Sequence, residues 1–341
     1  MGAILVVNAG STSLKLSVVH ADGEATNLDS LDAAPSGLDA VAHRIVHGGR
    51  QFRDPVVVDD DVEHELERLI ELAPLHMTPA VAALHRARAQ LPGVPHIALF
   101  DTAFHATIPE DAATYALPRR LRQDVGIRRY GFHGLSVQWA SERVPVERLV
   151  VCHLGGGCSV TAVRAGRSVD TTMGFTPLEG VPMATRPGSV DPGVLVYLLR
   201  NELTLDQLDR TLEHESGLLG LSGVSGDVRE LERSDDAAAR LALQIFAYRI
   251  ALAVGSMAVP LGGVDAVVFT AGIGEHSAAV RADVCGRLSF LGVELDQGRN
   301  ERAQADAEIA RDASAVRVVV LRAREDIVAA RAARVLMERV V

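Results

Sequence analysis

The chain has 341 residues, a formal charge of −10, 48% hydrophobic residues and only 4% aromatic ones. That length and apolar content predict two domains or one large α/β unit with sizeable cores. The acidic balance argues against nucleic acid or an anionic membrane surface as the main partner, and the few aromatics argue against base-stacking platforms.

An apolar run enters Asn8-Ala9-Gly10-Ser11-Thr12-Ser13, and alternating apolar residues leave it, so residues 5–19 read as a hairpin. Its turn offers backbone N–H groups and three hydroxyls, a cradle for phosphate oxygens. Lys15 on the exit strand is the only lysine in a chain with 34 basic side chains, and a compact charge suits a phosphate. No signal peptide is expected, because the opening apolar run is short and lacks a basic leader. Residues 20–35 are polar and turn-like. His43-Arg44-Ile45-Val46-His47-Gly48-Gly49 is a short apolar core ending in a glycine pair. Residues 61–72 and 78–91 read as amphipathic helices, with Leu66, Leu69 and Ile70 on one face of the first. Residues 96–100 form a buried strand ending at Asp101, and helices are expected at 119–125 and 135–143.

Residues 149–163 repeat the opening plan of strand, small-residue loop and strand, which suggests an internal duplication with two phosphate-cradling loops. A strand at 167–172 leads into 174–188, too rich in Pro and Gly for a helix and read as a functional loop. Asp191 caps a helix running to Arg200, with Pro192 at its first position. A helix at 205–214 is expected to stop at Gly217. Residues 235–259 form a long apolar helix, core or dimer seam, and the apolar run at 250–261 is too short to span a bilayer. A buried strand at 264–269 leads to a glycine loop, Gly272-Ile273-Gly274-Glu275, and then a helix from Ser277. A last strand at 316–321 precedes a helix that Glu325 opens, where a carboxylate suits the helix dipole. Strand and helix alternation indicates an α/β protein. Cys152, Cys158 and Cys285 have no metal spacing and read as reduced thiols of a cytoplasmic protein.

The chain has no Walker A sequence, no dinucleotide-type glycine loop and no paired-cysteine metal motif. Polar residues instead stand at strand ends, where open α/β proteins bind ligands: Asn8, Arg44, Asp101, His133, His153, Arg186, Asp227 and Glu325. Six blocks, in order and nearly end to end, resemble the acetate kinase family. They are Asn8 to Lys15, His43 to Gly49, Phe100-Asp101-Thr102-Ala103-Phe104-His105, Arg129-Tyr130-Gly131-Phe132-His133-Gly134, the loop from Met173 to Gly188, and Phe269 to Glu275.

The resemblance implies two duplicated α/β domains of the sugar kinase/actin type with an interdomain nucleotide cleft, usually as a homodimer. It implies an N-terminal domain of residues 1–105 plus 327–341, trimmed between 20 and 43, and a C-terminal domain of residues 106–326 that binds nucleotide and dimerises. The implied reaction is reversible transfer of the ATP γ-phosphoryl to acetate, giving acetyl phosphate and ADP. It implies Mg²⁺, with Mn²⁺ able to replace it, and no nucleic-acid or membrane partner.

By position, Arg44 and Arg186 resemble the arginines that bind the carboxylate and the phosphoryl in flight, where a planar fork suits both. Asp101 matches an essential aspartate, whose role the sequence leaves open between orienting an arginine and orienting Mg²⁺. His133 matches a residue that stabilises charge on the transferring group. Asn8 and Glu325 match the Mg²⁺ site, and Val46, His76 and Pro177 the substrate side, with Val46 and Pro177 forming an apolar methyl pocket. Lys15 and the loop His153, Leu154, Gly155, Gly156, Gly157 would hold phosphates. Asp227, Val228 and Arg229 would approach ribose and adenine, and Gly272, Ile273, Gly274, Glu275 and His276 would bed the base. Two positions depart from the family: Gly156 and His276 stand where it has Asn. A propionate kinase shares every catalytic residue, and a non-catalytic nucleotide switch of the same fold is the more distant alternative.

Overall fold

The computed structural model describes residues 2–10 and 14–340. Ser11, Thr12 and Ser13, the hydroxyls of the expected phosphate-cradling turn, lie outside the described residues. The chain divides into two units, one of Met1–Ala106, Phe132–Trp139 and Arg324–Val341, the other of Thr107–Gly131 and Ala140–Ala323.

In the first unit, β1 (Ala3–Ala9), β2 (Leu14–Val19), β3 (Ala25–Leu28), β4 (Leu38–Ile45), β5 (Val56–Val57) and β6 (His96–Phe100) form one sheet in the order β3-β2-β1-β4-β6-β5. Ile4, Leu5, Val6 and Val7 are all buried, the continuous apolar run of a strand covered on both faces. One side packs Ile4, Val6, Ala42, Ile97 and Leu99 in one core with Val328, Ala329 and Ala333 of the helix Glu325–Val340 and with Leu135. Each such fully buried large aliphatic contributes roughly 1.5–3 kcal/mol. The helix Pro74–Gln90, with Met77, Val81 and Leu84 buried, also packs against β1 and β4. It begins earlier than residue 78, because Pro74 occupies its first turn, where a missing N–H costs nothing. The polar stretch 20–35, expected to be turns, contains the edge strand β3, whose side chains are almost all exposed and so carry no apolar alternation.

In the second unit, β7 (Arg148–Leu154), β8 (Cys158–Arg164), β9 (Arg167–Thr171), β10 (Ala266–Thr270), β11 (Ala307–Glu308) and β12 (Arg317–Val320) form a sheet in the order β11-β12-β10-β7-β8-β9. Adding six to each strand number of the first sheet yields the second. The pairings match in sense as well. β1 with β4 and β7 with β10 are parallel, while β1 with β2 and β7 with β8 are antiparallel hairpins. The echo seen in the sequence is therefore a repeat of topology.

The helix Ala237–Leu261 starts at Asp236, whose side chain accepts from the Ala238 N–H, and ends at Gly262 in the left-handed conformation. It is long and apolar enough, by length and composition, to cross a membrane. Here Ala242, Phe246, Ile250, Val254 and Leu261 are buried, and the helix packs on β7, β8 and β9.

Two further stretches differ from the sequence reading. The expected helix 205–214 is Leu205–Arg210 followed by one π turn, Thr211–Glu215, and Gly217 opens a new helix, Gly217–Ser222, rather than stopping the old one. A Cβ on Gly217 would fall 2.2 Å from the Met183 carbonyl oxygen, so close backbone approach explains that glycine. The expected loop after β10 is a short helix, Ala271–His276. The three cysteines are buried and unpaired by disulfides, and burial pushes the Cys158 and Cys285 thiols up to about 12.

Candidate active site

In the first unit, parallel strands β1, β4 and β6 end side by side, and their last residues converge. Asn8 lies opposite Arg44 in the β1–β4 register, and Asp101 follows β6 directly. The Arg44 fork meets Asp101 bidentately, Nε to Oδ1 at 3.0 Å and Nη2 to Oδ2 at 2.6 Å. Its Nη1 donates to Asn8 Oδ1 at 2.9 Å and lies 3.7 Å from Glu325 Oε2. Asn8 Nδ2 completes the ring by donating to Glu325 Oε2 at 3.0 Å. Glu325 reaches this place as the first residue of its helix.

Asp101 is fully buried. Burial pushes its carboxyl above the usual range, against the pull of Arg44 and of the His133 backbone N–H that donates to it. Burial disfavours the charged Arg44 guanidinium, but Asp101 and Glu325 outweigh this and keep it protonated well above the ordinary value. His133 stands at a positive φ of 60°, immediately before the helix Gly134–Arg143. Gly134 makes that approach feasible, since a Cβ there would lie 2.0 Å from the Asp101 carbonyl oxygen. The structure thus gathers Asn8, Arg44, Asp101, His133 and Glu325, residues spread over most of the chain.

Lys15 is exposed on β2, opposite Asn8 in the hairpin register. Val46 is buried just past β4, and His76 lies in the first turn of the helix Pro74–Gln90. Asn8 and Glu325 present an amide oxygen and a carboxylate, hard donors of the kind Mg²⁺ takes when it keeps most of its waters. Arg44 already shares both groups, so the set suits a cation held by few protein ligands.

In the second unit, His153 and Leu154 close β7, and Gly155, Gly156 and Gly157 form the turn to β8. Gly155 N–H donates to the Gly157 carbonyl at 3.0 Å, and Ala184 N–H to the Gly156 carbonyl at 3.3 Å. Apart from its two chain neighbours, no atom of the described residues lies within 4 Å of a Cβ built on Gly156. At the end of the neighbouring β10, Ala271 takes a φ of 63°, and Gly272, Ile273, Gly274, Glu275 and His276 form the short helix. Its Gly274 and Glu275 carbonyls accept from Arg281 Nη1 at 3.0 and 2.9 Å. Arg281 is buried and also meets Asn300, a bracing role that nothing local in the sequence signalled. His276 is exposed. Asp227 caps the helix Val228–Arg233, accepting from Arg229 N at 2.8 Å and pairing with its side chain. The Val228 side chain faces the core, so only its backbone is available to a ligand.

Arg186 lies in the irregular loop after β9, almost wholly buried, its Nη1 donating to the Pro177 carbonyl at 2.8 Å. Burial lowers its pKa, and Glu213 opposes that shift. The loop is held by Met183 N to Arg186 O at 2.9 Å and Leu218 N to Met183 O at 2.8 Å. Tyr115, Arg129 and Glu179, which brace the start of this loop, were not singled out as functional from the sequence.

Residues 25–331 match the model of the acetokinase family. An acetate kinase of Nostoc punctiforme is 47% identical over 317 residues, 89% of this chain and 77% of that protein. One from Acaryochloris marina is 48% identical over 298 residues, 85% of this chain and 75% of that one. A crystal structure of a propionate kinase from Francisella tularensis superposes with a TM-score of 0.90 at 32% identity, covering 97% of this chain and 99% of that one. The acetate kinase of Porphyromonas gingivalis superposes at 0.86, also 32% identical, over 99% and 100% of the two chains.

Proposed function

The chain belongs to the acetokinase family, and from that premise we propose that it is an acetate kinase. It transfers the ATP γ-phosphoryl to acetate, giving acetyl phosphate and ADP, and runs the reaction in both directions. The observation that carries this reading is the ring of Asn8, Arg44, Asp101 and Glu325, which presents a rigid guanidinium beside a hard-oxygen cation site.

Phosphoryl transfer needs positioning and charge neutralisation more than covalent help. Acetate is ionised at pH 7 and needs no general base. Asp101 therefore serves to hold Arg44, and the bidentate pair fixes the plane of the fork. In the first unit, Arg44 binds the carboxylate, and Val46 and His76 take substrate-side roles. Arg186 and His133 meet charge on the transferring group. Lys15, the turn from His153 to Gly157, Asp227 to Arg229 and the helix from Gly272 to His276 hold the nucleotide. Asn8 and Glu325 would hold Mg²⁺, which would supply charge neutralisation for phosphate oxygens.

The protein acts in the cytoplasm as a homodimer. The apolar helix Pro192–Asn201, which buries none of its residues, supports a second copy as its cover. Its exposed side chains include Val194, Val196, Tyr197 and Leu199.

The test is ADP release with Mg-ATP and acetate, propionate or butyrate against a blank without acid. Acetate-dependent turnover is expected. Faster turnover with propionate would make it a propionate kinase, a methylene being worth only about 1–3 kcal/mol in an apolar pocket. ADP release no higher than the blank with all three acids would refute the carboxylate-kinase reading.

A further inference from the structure

The stretch from Thr172 to Ser189 carries Pro177 and Arg186 without any regular ladder to hold it. Isolated backbone bonds hold its later part, and three side chains act together where it starts. Arg129 Nη1 donates to the Thr172 and Met173 carbonyls at 3.0 and 3.2 Å. Its Nη2 donates to Glu179 Oε1 at 2.9 Å. The other Glu179 oxygen accepts the Tyr115 hydroxyl, and that hydroxyl accepts the Phe175 N–H at 3.0 Å. The Arg129 guanidinium lies over the Tyr115 ring, 5.5 Å from its centroid.

Backbone contacts press the loop onto this cluster. Tyr130 N–H donates to the Gly174 carbonyl at 3.0 Å. A Cβ on Gly174 would fall 1.8 Å from Glu179 Oε2 and 2.0 Å from the Tyr115 hydroxyl oxygen, so only glycine fits. Glu179 thus ties residue 179 back to residues 172–175, and Pro177 sits inside the closed bridge. Its carbonyl takes the Arg186 guanidinium at 2.8 Å. Just beyond, Ser189 N–H donates to the Gly180 carbonyl at 2.8 Å and closes the loop's second half.

We propose that Glu179, clamped by Tyr115 and Arg129, is a positioning residue that sets the Pro177 carbonyl and through it aims Arg186. This rests on the kinase reading of Arg186. Burial pushes the Tyr115 phenol up, with Glu179 adding to the shift, so it stays a donor over the working pH range. The clamp acts by keeping one loop geometry, and a misplacement of about 1 Å in such a group can cost on the order of 100-fold in rate.

The experiment compares Glu179→Ala, Glu179→Gln and Tyr115→Phe with the parent enzyme, each also in an Arg186→Ala background. Steady-state kinetics, thermal unfolding and hydrogen exchange of residues 172–189 are read for all. Glu179→Ala is expected to lower kcat by about 10- to 100-fold, with KM for ATP within threefold. In the Arg186→Ala background it should lower kcat no further. Glu179→Gln, which keeps an acceptor for Arg129, should recover part of the loss. An unchanged kcat in Glu179→Ala, or the same fold-loss with and without Arg186, would overturn the proposal. If the parent shows no carboxylate-kinase activity, that reading fails separately and exchange decides the clamp. Faster exchange at 172–189 in Glu179→Ala supports it, and unchanged protection overturns it.

Discussion

Replacing Asp101 by Asn tests the buried pair on which the first unit's site is built. The substitution keeps shape and removes one charge, leaving the Arg44 guanidinium with Asn8 Oδ1 at 2.9 Å and Glu325 at 3.7 Å. Removing one partner of a buried ion pair costs about 3–5 kcal/mol, because the other charge is left uncompensated. The two remaining neighbours of Arg44 place this case at the low end, ~3 kcal/mol. At ~2 °C per kcal/mol that is a fall of about 6 °C in Tm, measurable by circular dichroism. A second variant, Arg44→Met with Asp101→Asn, removes both charges and should regain at least half of the lost stability while remaining inactive. That split separates the pair's function from any role as a staple. A Tm within 1 °C of the parent for Asp101→Asn, or no recovery in the double variant, would refute the reasoning.

Gly156→Asn should fit, since beyond its chain neighbours a Cβ there meets no described residue within 4 Å. An added donor to a phosphate is worth ~1.5 kcal/mol, so nucleotide affinity measured by calorimetry should rise about tenfold. Unchanged affinity would show that this turn does not face phosphate. His105 is buried with its pKa lowered to about 4 by desolvation. The unfolded chain protonates near 6.5 and the folded one only near 4, so stability is full above 6.5 and falls as pH drops to 4, by ~3 kcal/mol in all. Urea unfolding at several pH values should show that slope, and His105→Gln should flatten it. Tyr197→Glu on the exposed apolar helix should turn a dimer into a monomer by light scattering, with the fold retained. Asn8→Ala should raise the Mg²⁺ concentration needed for half-maximal activity, read in a metal titration.

Local signals in the sequence carried much of this architecture. The runs at 5–19 and 149–163 are antiparallel strand pairs, as apolar runs on either side of a glycine-bearing turn signal, and Asp191 with Pro192 starts a helix as expected. Features set by distant contacts were not legible. β5 and β11 are two residues each, too short for any period. Gly217 looks like a helix stop but is required by the Met183 carbonyl pressing on it. Ala271 gives no sign that it turns the chain from β10 into a helix, because a left-handed alanine is a product of its surroundings. In the candidate site, Arg44 and Asp101 were named singly, but their bidentate pairing joins residues 57 apart and follows only from the β4–β6 register. Glu179 was likewise read as part of a loop, since its partners Tyr115 and Arg129 lie 64 and 50 residues away.

The repeated topology has an evolutionary reading in its registers. Asn8 on β1 lies opposite Lys15 and Arg44, and His153, at the same place on β7, lies opposite Ser159 and Thr270. The two sheets thus differ in character at equivalent register positions. The first places full charges beside Asn8, and the second places hydroxyls beside the His153 imidazole. Drift should accordingly be tolerated differently in the two. In the first sheet an exchange of Arg44 for Lys should lose the bidentate contact to Asp101, while at the second sheet's glycine turn the backbone itself is what a substitution would disturb.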